Sequence, residues 1–140
     1  MNIDNRIIEE YSDYGVVVIR NIITPYWLKK LTIGIEKNFK KPSKYKCVYE
    51  KKGEKEIFFD DYCNWQRIKE YKDFFFHSNI ARIASRLMNS KTVNLFHEHV
   101  LIKEAGSRKK TPWHQDQPYY CVDGKNNCSL WIPLDNISKK

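Results

Sequence analysis

The residues with the clearest chemical potential lie in Thr111-Pro112-Trp113-His114-Gln115-Asp116-Gln117-Pro118-Tyr119-Tyr120. A histidine and an aspartate two positions apart are two thirds of a 2-His-1-carboxylate set. That set holds non-haem Fe(II) and leaves coordination positions open for oxygen and a co-substrate. On a β-strand, residues i and i+2 point to the same face. A strand over residues 113–120 would therefore project His114 and Asp116 together and turn Gln115 away. The apolar neighbours Trp113 and Pro118 would limit water access and orient the ligands. Taken alone, His-x-Asp is weak evidence, because the spacing arises by chance and a lone strand histidine is usually an ordinary hydrogen-bonded residue. The set also needs a third ligand, and none of the 24 residues after Asp116 is a histidine.

The elements that must position this pair can be read from the hydrophobic pattern. A short amphipathic stretch covers residues 7–11. Residues 15–20, with four consecutive β-branched residues from Val16 to Ile19, read as a buried strand. Thr24-Pro25 is a helix start, Thr24 at the N-cap and Pro25 at the first helical position. The helix that follows aligns Trp27, Leu28, Leu31, Ile35 and Phe39 on one face. Residues 40–56 are lysine-rich and read as an irregular surface connection, with room for a short strand at 45–49. Residues 57–62 return to apolar character and turn at Asp60-Asp61. A second helix is expected over residues 74–88, burying Ile80, Ile83, Ala84 and Leu87. Beyond it the pattern is strand-like: residues 92–97, 99–103, 113–120 and 128–134, with a turn at Asp123-Gly124.

At 140 residues the chain is one domain at most, long enough to bury a core. No run of about 18 apolar residues is present, so no membrane span is expected, and the first residues do not form a secretory signal. Cys47, Cys63, Cys121 and Cys128 form no C-x-x-C pair, which favours scattered reduced thiols over a zinc site and suggests a cytoplasmic setting. The net charge of +8 comes mostly from lysines spread along the chain, often beside Glu or Asp. A solvated lysine surface explains this better than a nucleic-acid patch, since clustered arginines and aromatic stacking strands are both missing.

Several blocks in order resemble the phytanoyl-CoA dioxygenase family of Fe(II)/2-oxoglutarate oxygenases. Tyr14-Gly15-Val16-Val17-Val18-Ile19-Arg20-Asn21-Ile22-Ile23-Thr24 resembles the family's N-terminal strand and helix start. The block from Val93 to Gly106 resembles its first barrel strand and following loop. Thr111-Pro112-Trp113-His114-Gln115-Asp116 resembles the metal-binding strand, and Leu130-Trp131-Ile132-Pro133-Leu134-Asp135 the strand after it. The last two blocks together are the specific part.

The resemblance implies a mainly β fold with α, a double-stranded β-helix or jelly roll with N-terminal helices. It would form a single partial domain over residues 1–140: residues 1–90 supply the N-terminal strand and helices packed on the sheet, and 91–140 the first barrel strands with the metal motif. It implies that His114 and Asp116 bind the metal, that Trp131 lines a 2-oxoglutarate pocket, and that His99 and Lys103 share a co-substrate-facing side. The competing readings are a core tryptophan at 131, a solvated lysine at 103 and a satisfied strand histidine at 97. No separate catalytic side chain is assigned. The carboxylate of Asp116 favours hydroxylation over halogenation, since halogenating relatives carry a small residue there.

The implied cofactors are Fe(II) and 2-oxoglutarate, and the implied partners a small-molecule substrate and O2, with neither nucleic acid nor membrane. The family also uses a distal histidine and an arginine that pairs with the far carboxylate of 2-oxoglutarate. Neither follows Asp116, so the expectation is a truncated jelly roll, weakly active or inactive as it stands, whose open edges invite self-association. The alternative is a non-catalytic binding remnant on the same scaffold.

Overall fold

The structure is a computed structural model, and it describes residues 3–49, 57–107 and 109–137. Four helices and three strands follow one another: α1 (Asn5–Tyr14), α2 (Pro25–Lys40), β1 (Cys47–Tyr49), β2 (Phe58–Tyr62), α3 (Lys69–His77), α4 (Ile80–Leu87) and β3 (His99–Lys103). The strands form one antiparallel sheet in the order β1-β2-β3. Among the described residues helix outweighs strand, which corrects the expected mainly β balance. A second sheet of the kind a jelly roll needs is not formed among them. No helix is long and apolar enough to cross a membrane, among the described residues.

Helix α2 begins as its sequence dictates. Thr24 sits at the N-cap in extended conformation and Pro25 supplies the first helical φ, although the Thr24 hydroxyl makes no capping bond. The expected face is largely the one that packs: Leu31 is buried and Trp27 and Ile35 lie against the core, while Phe39 is exposed at the helix end with its ring 5.2 Å from that of Phe59. Gly34 and Asn38 are buried as well. Gly34 is covered because α3 packs directly over it. A Cβ at this position would lie 2.5 Å from the Tyr71 ring. Trp27 meets Phe74 edge-on at 5.6 Å, and Lys30–Asp73 and Lys37–Glu70 ion pairs flank the contact.

The core gathers Leu31, Ile68, Tyr71, Phe74, Ile80 and Val100, with Ile102, Ile132 and Leu134 partly buried against it. Directly opposed residues of an antiparallel pair share a face. The registers Asp61↔Val100 and Phe59↔Ile102 therefore turn Phe59, Asp61, Val100 and Ile102 toward the helices. Tyr62↔His99, Asp60↔Leu101 and Phe58↔Lys103 put their side chains on the opposite face.

Several expected elements take another form. Residues 15–20 are not a strand. Gly15 adopts a left-handed φ of 71° and caps α1, its N–H reaching the Tyr11 carbonyl at 2.8 Å. The chain beyond it is extended but unpaired, with Val16 65% and Val18 70% exposed. Asp60 and Asp61 make no turn; both lie inside β2. The single helix expected over 74–88 breaks at Ser78, whose backbone is extended and whose hydroxyl meets the Ile80 amide. Residues 92–97, 113–120 and 128–134 join no ladder.

One polar network ties α2 to the sheet. Asp61 is fully buried, and its carboxylate accepts from Asn38 Nδ2 (2.9 Å), the Ser43 amide (2.8 Å), the Ser43 hydroxyl (2.5 Å) and the Tyr62 amide (3.0 Å). Burial pushes its carboxyl up, but the bonds from Ser43, Asn38 and Asn64 outweigh that and hold it below the usual carboxylate range. Glu98 binds the amides of Asn64 and Trp65 and so fixes the chain entering β3.

Candidate metal centre

His114 and Asp116 meet on a segment that joins no strand ladder. His114 Nε2 lies 3.2 Å from Asp116 Oδ1. The segment carrying them bends at Asp116 into a 3-10 turn over Gln117–Tyr119. Pro118 suits that turn because its ring presets φ. The Tyr119 amide donates to the Asp116 carbonyl at 2.9 Å. Gln117 then holds the following loop, donating to the Val122 carbonyl and accepting from Asn127 Nδ2 at 3.1 Å.

The partners of each side chain leave the facing atoms free to coordinate. His114 Nδ1 lies 2.8 Å from the Pro112 carbonyl. A carbonyl can only accept, so Nδ1 carries the proton and the Nε2 lone pair points outward. Asp116 Oδ2 accepts from Ser129 Oγ at 3.0 Å, which leaves Oδ1 facing Nε2. Two acceptors 3.2 Å apart repel unless a cation or a second ring proton lies between them. Adjacent ligands on a first-row divalent ion, with bonds of about 2.1 Å, stand roughly 3 Å apart. The donor set therefore fits two positions on such an ion, each steadied by an outer partner. Both side chains are part-exposed, and His114 borders a shallow groove of about 330 Å³ with Thr111, Pro112 and Trp113.

A third protein ligand is not in place. Among the described residues, no group of three His, Cys, Asp or Glu side chains is arranged to hold a metal. His97 contacts the Glu98 carbonyl and the rings of Phe96 and Tyr62.

The three residues expected to face a co-substrate are dispersed. His99 and Lys103 share the outer face of the sheet, as alternation on β3 requires. His99 Nε2 lies 3.8 Å from Asp60 Oδ1, and the Lys103 ammonium lies 5.9 Å from the Phe58 ring centre. Trp131 is 74% exposed, so it is not a core tryptophan here. Its neighbours Ile132 and Leu134 reach the core. Pattern reading missed Ser129, which orients Asp116, and Asp60, which faces His99. Asp60-Asp61 inside an aromatic run was the available signal, since alternation on a strand sends two adjacent carboxylates to opposite faces.

An imidazole and a carboxylate thus converge on the segment that follows an antiparallel sheet backed by helices. The family model described as phytanoyl-CoA dioxygenase matches residues 11–140, and the chain belongs to that family. Membership indicates a dioxygenase-like oxidoreductase. Comparisons with curated proteins and with solved structures gave no match.

Proposed function

We propose that this chain carries the His-x-Asp part of an Fe(II)/2-oxoglutarate-dependent oxygenase centre that hydroxylates a small organic substrate, on the jelly-roll scaffold of its family. The observation that carries the reading is the His114–Asp116 pair, with its two facing acceptor atoms 3.2 Å apart and its outer atoms bound to Pro112 and Ser129. His114 and Asp116 would hold the iron, which with 2-oxoglutarate supplies oxygen activation for hydroxylation.

The residues of the chain have separate tasks in this reading. Pro112 sets the histidine tautomer. Ser129 orients the carboxylate so that Oδ1 remains available. Trp131 offers an exposed apolar wall for the co-substrate, and His99 and Lys103 offer polar groups to it from the sheet. A reducing, cytoplasmic setting suits the four unpaired thiols.

The test is spectroscopic. Under anaerobic conditions, 2-oxoglutarate added to the Fe(II)-loaded protein should produce a visible charge-transfer band, and Trp131→Ala should raise the concentration needed for it. Absence of any band at saturating iron and 2-oxoglutarate contradicts the proposal.

A further inference from the structure

The phase of the hydrogen bonds along β3 shows what this strand offers at the edge of the sheet. The Cys63 amide donates to the Glu98 carbonyl at 3.3 Å, and the Glu104 amide to the Ile57 carbonyl at 3.0 Å. Both bonds continue the β2–β3 register, in which Tyr62 faces His99 and Phe58 faces Lys103. Hydrogen-bonded and non-hydrogen-bonded pairs alternate along an antiparallel ladder. Glu98, Val100, Ile102 and Glu104 therefore turn their backbone groups toward β2, and His99, Leu101 and Lys103 turn theirs away from it. Among the described residues, no amide or carbonyl of these three finds a backbone partner. All three residues are exposed, Leu101 by 50%.

A strand edge of this kind is a template for another strand. The opposite edge, β1, is blunted by its length of only three residues. β3 has five residues, no proline, and an unbroken register with its neighbour.

A second copy of β3 fits the edge. With a two-fold axis at Leu101, Leu101 meets Leu101 of the other copy, and His99 meets Lys103 of the other copy. These are hydrogen-bonded pairs, so every outward amide finds a carbonyl. Apolar side chains match on both faces: Leu101 meets its equivalent on the outer face, and Val100 meets Ile102 on the inner one. Lys103 of the other copy arrives beside His99, whose Nε2 lies 3.8 Å from Asp60 Oδ1, so a carboxylate is at hand. Glu98 and Glu104 come opposite each other, but their carboxylates are held by amides of their own chain, Asn64 and Trp65 for the first and Ile57 for the second.

The chain also has surface to give. It presents 11419 Å², where a compact protein of 16.8 kDa presents about 7,700 Å². The surplus, about 3,700 Å², is several times the roughly 800 Å² that each partner contributes to a standard interface.

We propose that two copies of this chain pair antiparallel through the edge of β3, about a two-fold axis at Leu101, and join their sheets into one. The pairing uses backbone groups, so the side chains of His99 and Lys103 stay on the outer face. It requires neither iron nor the oxygenase reading.

Sedimentation of the 140-residue chain over a range of concentrations, with amide hydrogen exchange on the same samples, tests this. The predicted result is a dimer of twice the 16.8 kDa chain mass, with the amides of His99, Leu101 and Lys103 gaining protection as it forms. Leu101→Pro removes an amide that β2 does not use, as prolines on edge strands do. It should raise the dissociation constant about thirtyfold while the β2–β3 amides remain protected. If that variant does not fold, Leu101→Lys, at the same half-exposed position, takes its place. Like charges facing each other at the axis should raise the constant about tenfold. A monomer at every concentration, an open-ended polymer, a dimer unaffected by the folded variant, or edge amides protected only when a foreign peptide is added overturns the pairing.

Discussion

Two regions of this molecule are held together by different means. From α2 to β3, order comes from burial: Phe74 and Phe59 are almost wholly enclosed, and a buried carboxylate is satisfied by four donors from three segments. From Thr111 to Ile137, most side chains are exposed. Order there comes from local hydrogen bonds at Gln117 and Ser129, and from Ile132 and Leu134 inserted into the core. The difference separates stability from binding. Substitutions in the first region should act on folding and leave the metal pair intact, while substitutions in the second should act on the pair at little cost in stability.

The largest effect is expected at Asp61. Asp61→Ala strands buried donors on Asn38 and Ser43 and should cost about 3 kcal/mol or more in chemical denaturation. A loss under 1 kcal/mol would mean the network is not what joins α2 to the sheet. Acid should act on the same region. Asp61 is held low, and Asp73 is held at about 2 by bonds from Lys69 first and Lys30 second. Both native values lie below those of the unfolded chain, near 4. Their contribution is therefore full above about pH 4 and is lost as the pH falls toward 2. A melting temperature flat across that window would contradict this.

A smaller effect is expected at Gly34. The Cβ in Gly34→Ala would meet Tyr71 at 2.5 and 2.9 Å and Glu70 at 3.2 Å. Overpacking of that kind should cost about 1–3 kcal/mol, against a helix-propensity gain of about 1 kcal/mol. A net stabilisation would show that α2 and α3 pack less closely than described. The smallest stability effect is expected at Ser129. Ser129→Ala should stay within about 0.5 kcal/mol of the parent, yet weaken metal affinity about tenfold by freeing Asp116. If it alters stability and not affinity, the contrast between the two regions fails.

The legibility of the sequence follows the same division. The start of α2 was readable because Thr24-Pro25 is a local signal, and β3 because Val100-Leu101-Ile102 is a short apolar run. Gly15 misled because left-handed caps and strand starts both favour glycine, and only the α1 turn before it decides between them. Asp60-Asp61 misled because paired aspartates suggest a turn. Their place inside β2 depends on Asn38 and Ser43, distant in sequence, which no periodicity reveals. The nearness of His114 to Asp116 was expected on a strand; the pair is near on a segment that joins no ladder, with a turn after Asp116 and a bond from Ser129 to its carboxylate. The family blocks were legible because they are contiguous. The approach of His99 to Asp60, diagonal across the β2–β3 pair, was not, because strand pairing creates it.

The central claim is that His114 and Asp116 together ligate iron. Anaerobic calorimetric titration of Fe(II) into the wild-type chain, His114→Ala and Asp116→Ala tests it directly. Both side chains are part-exposed, so the variants should remain folded. One ion per wild-type chain, with binding lost in both variants, is the predicted result. Equal iron affinity in the wild type and in either variant would contradict it.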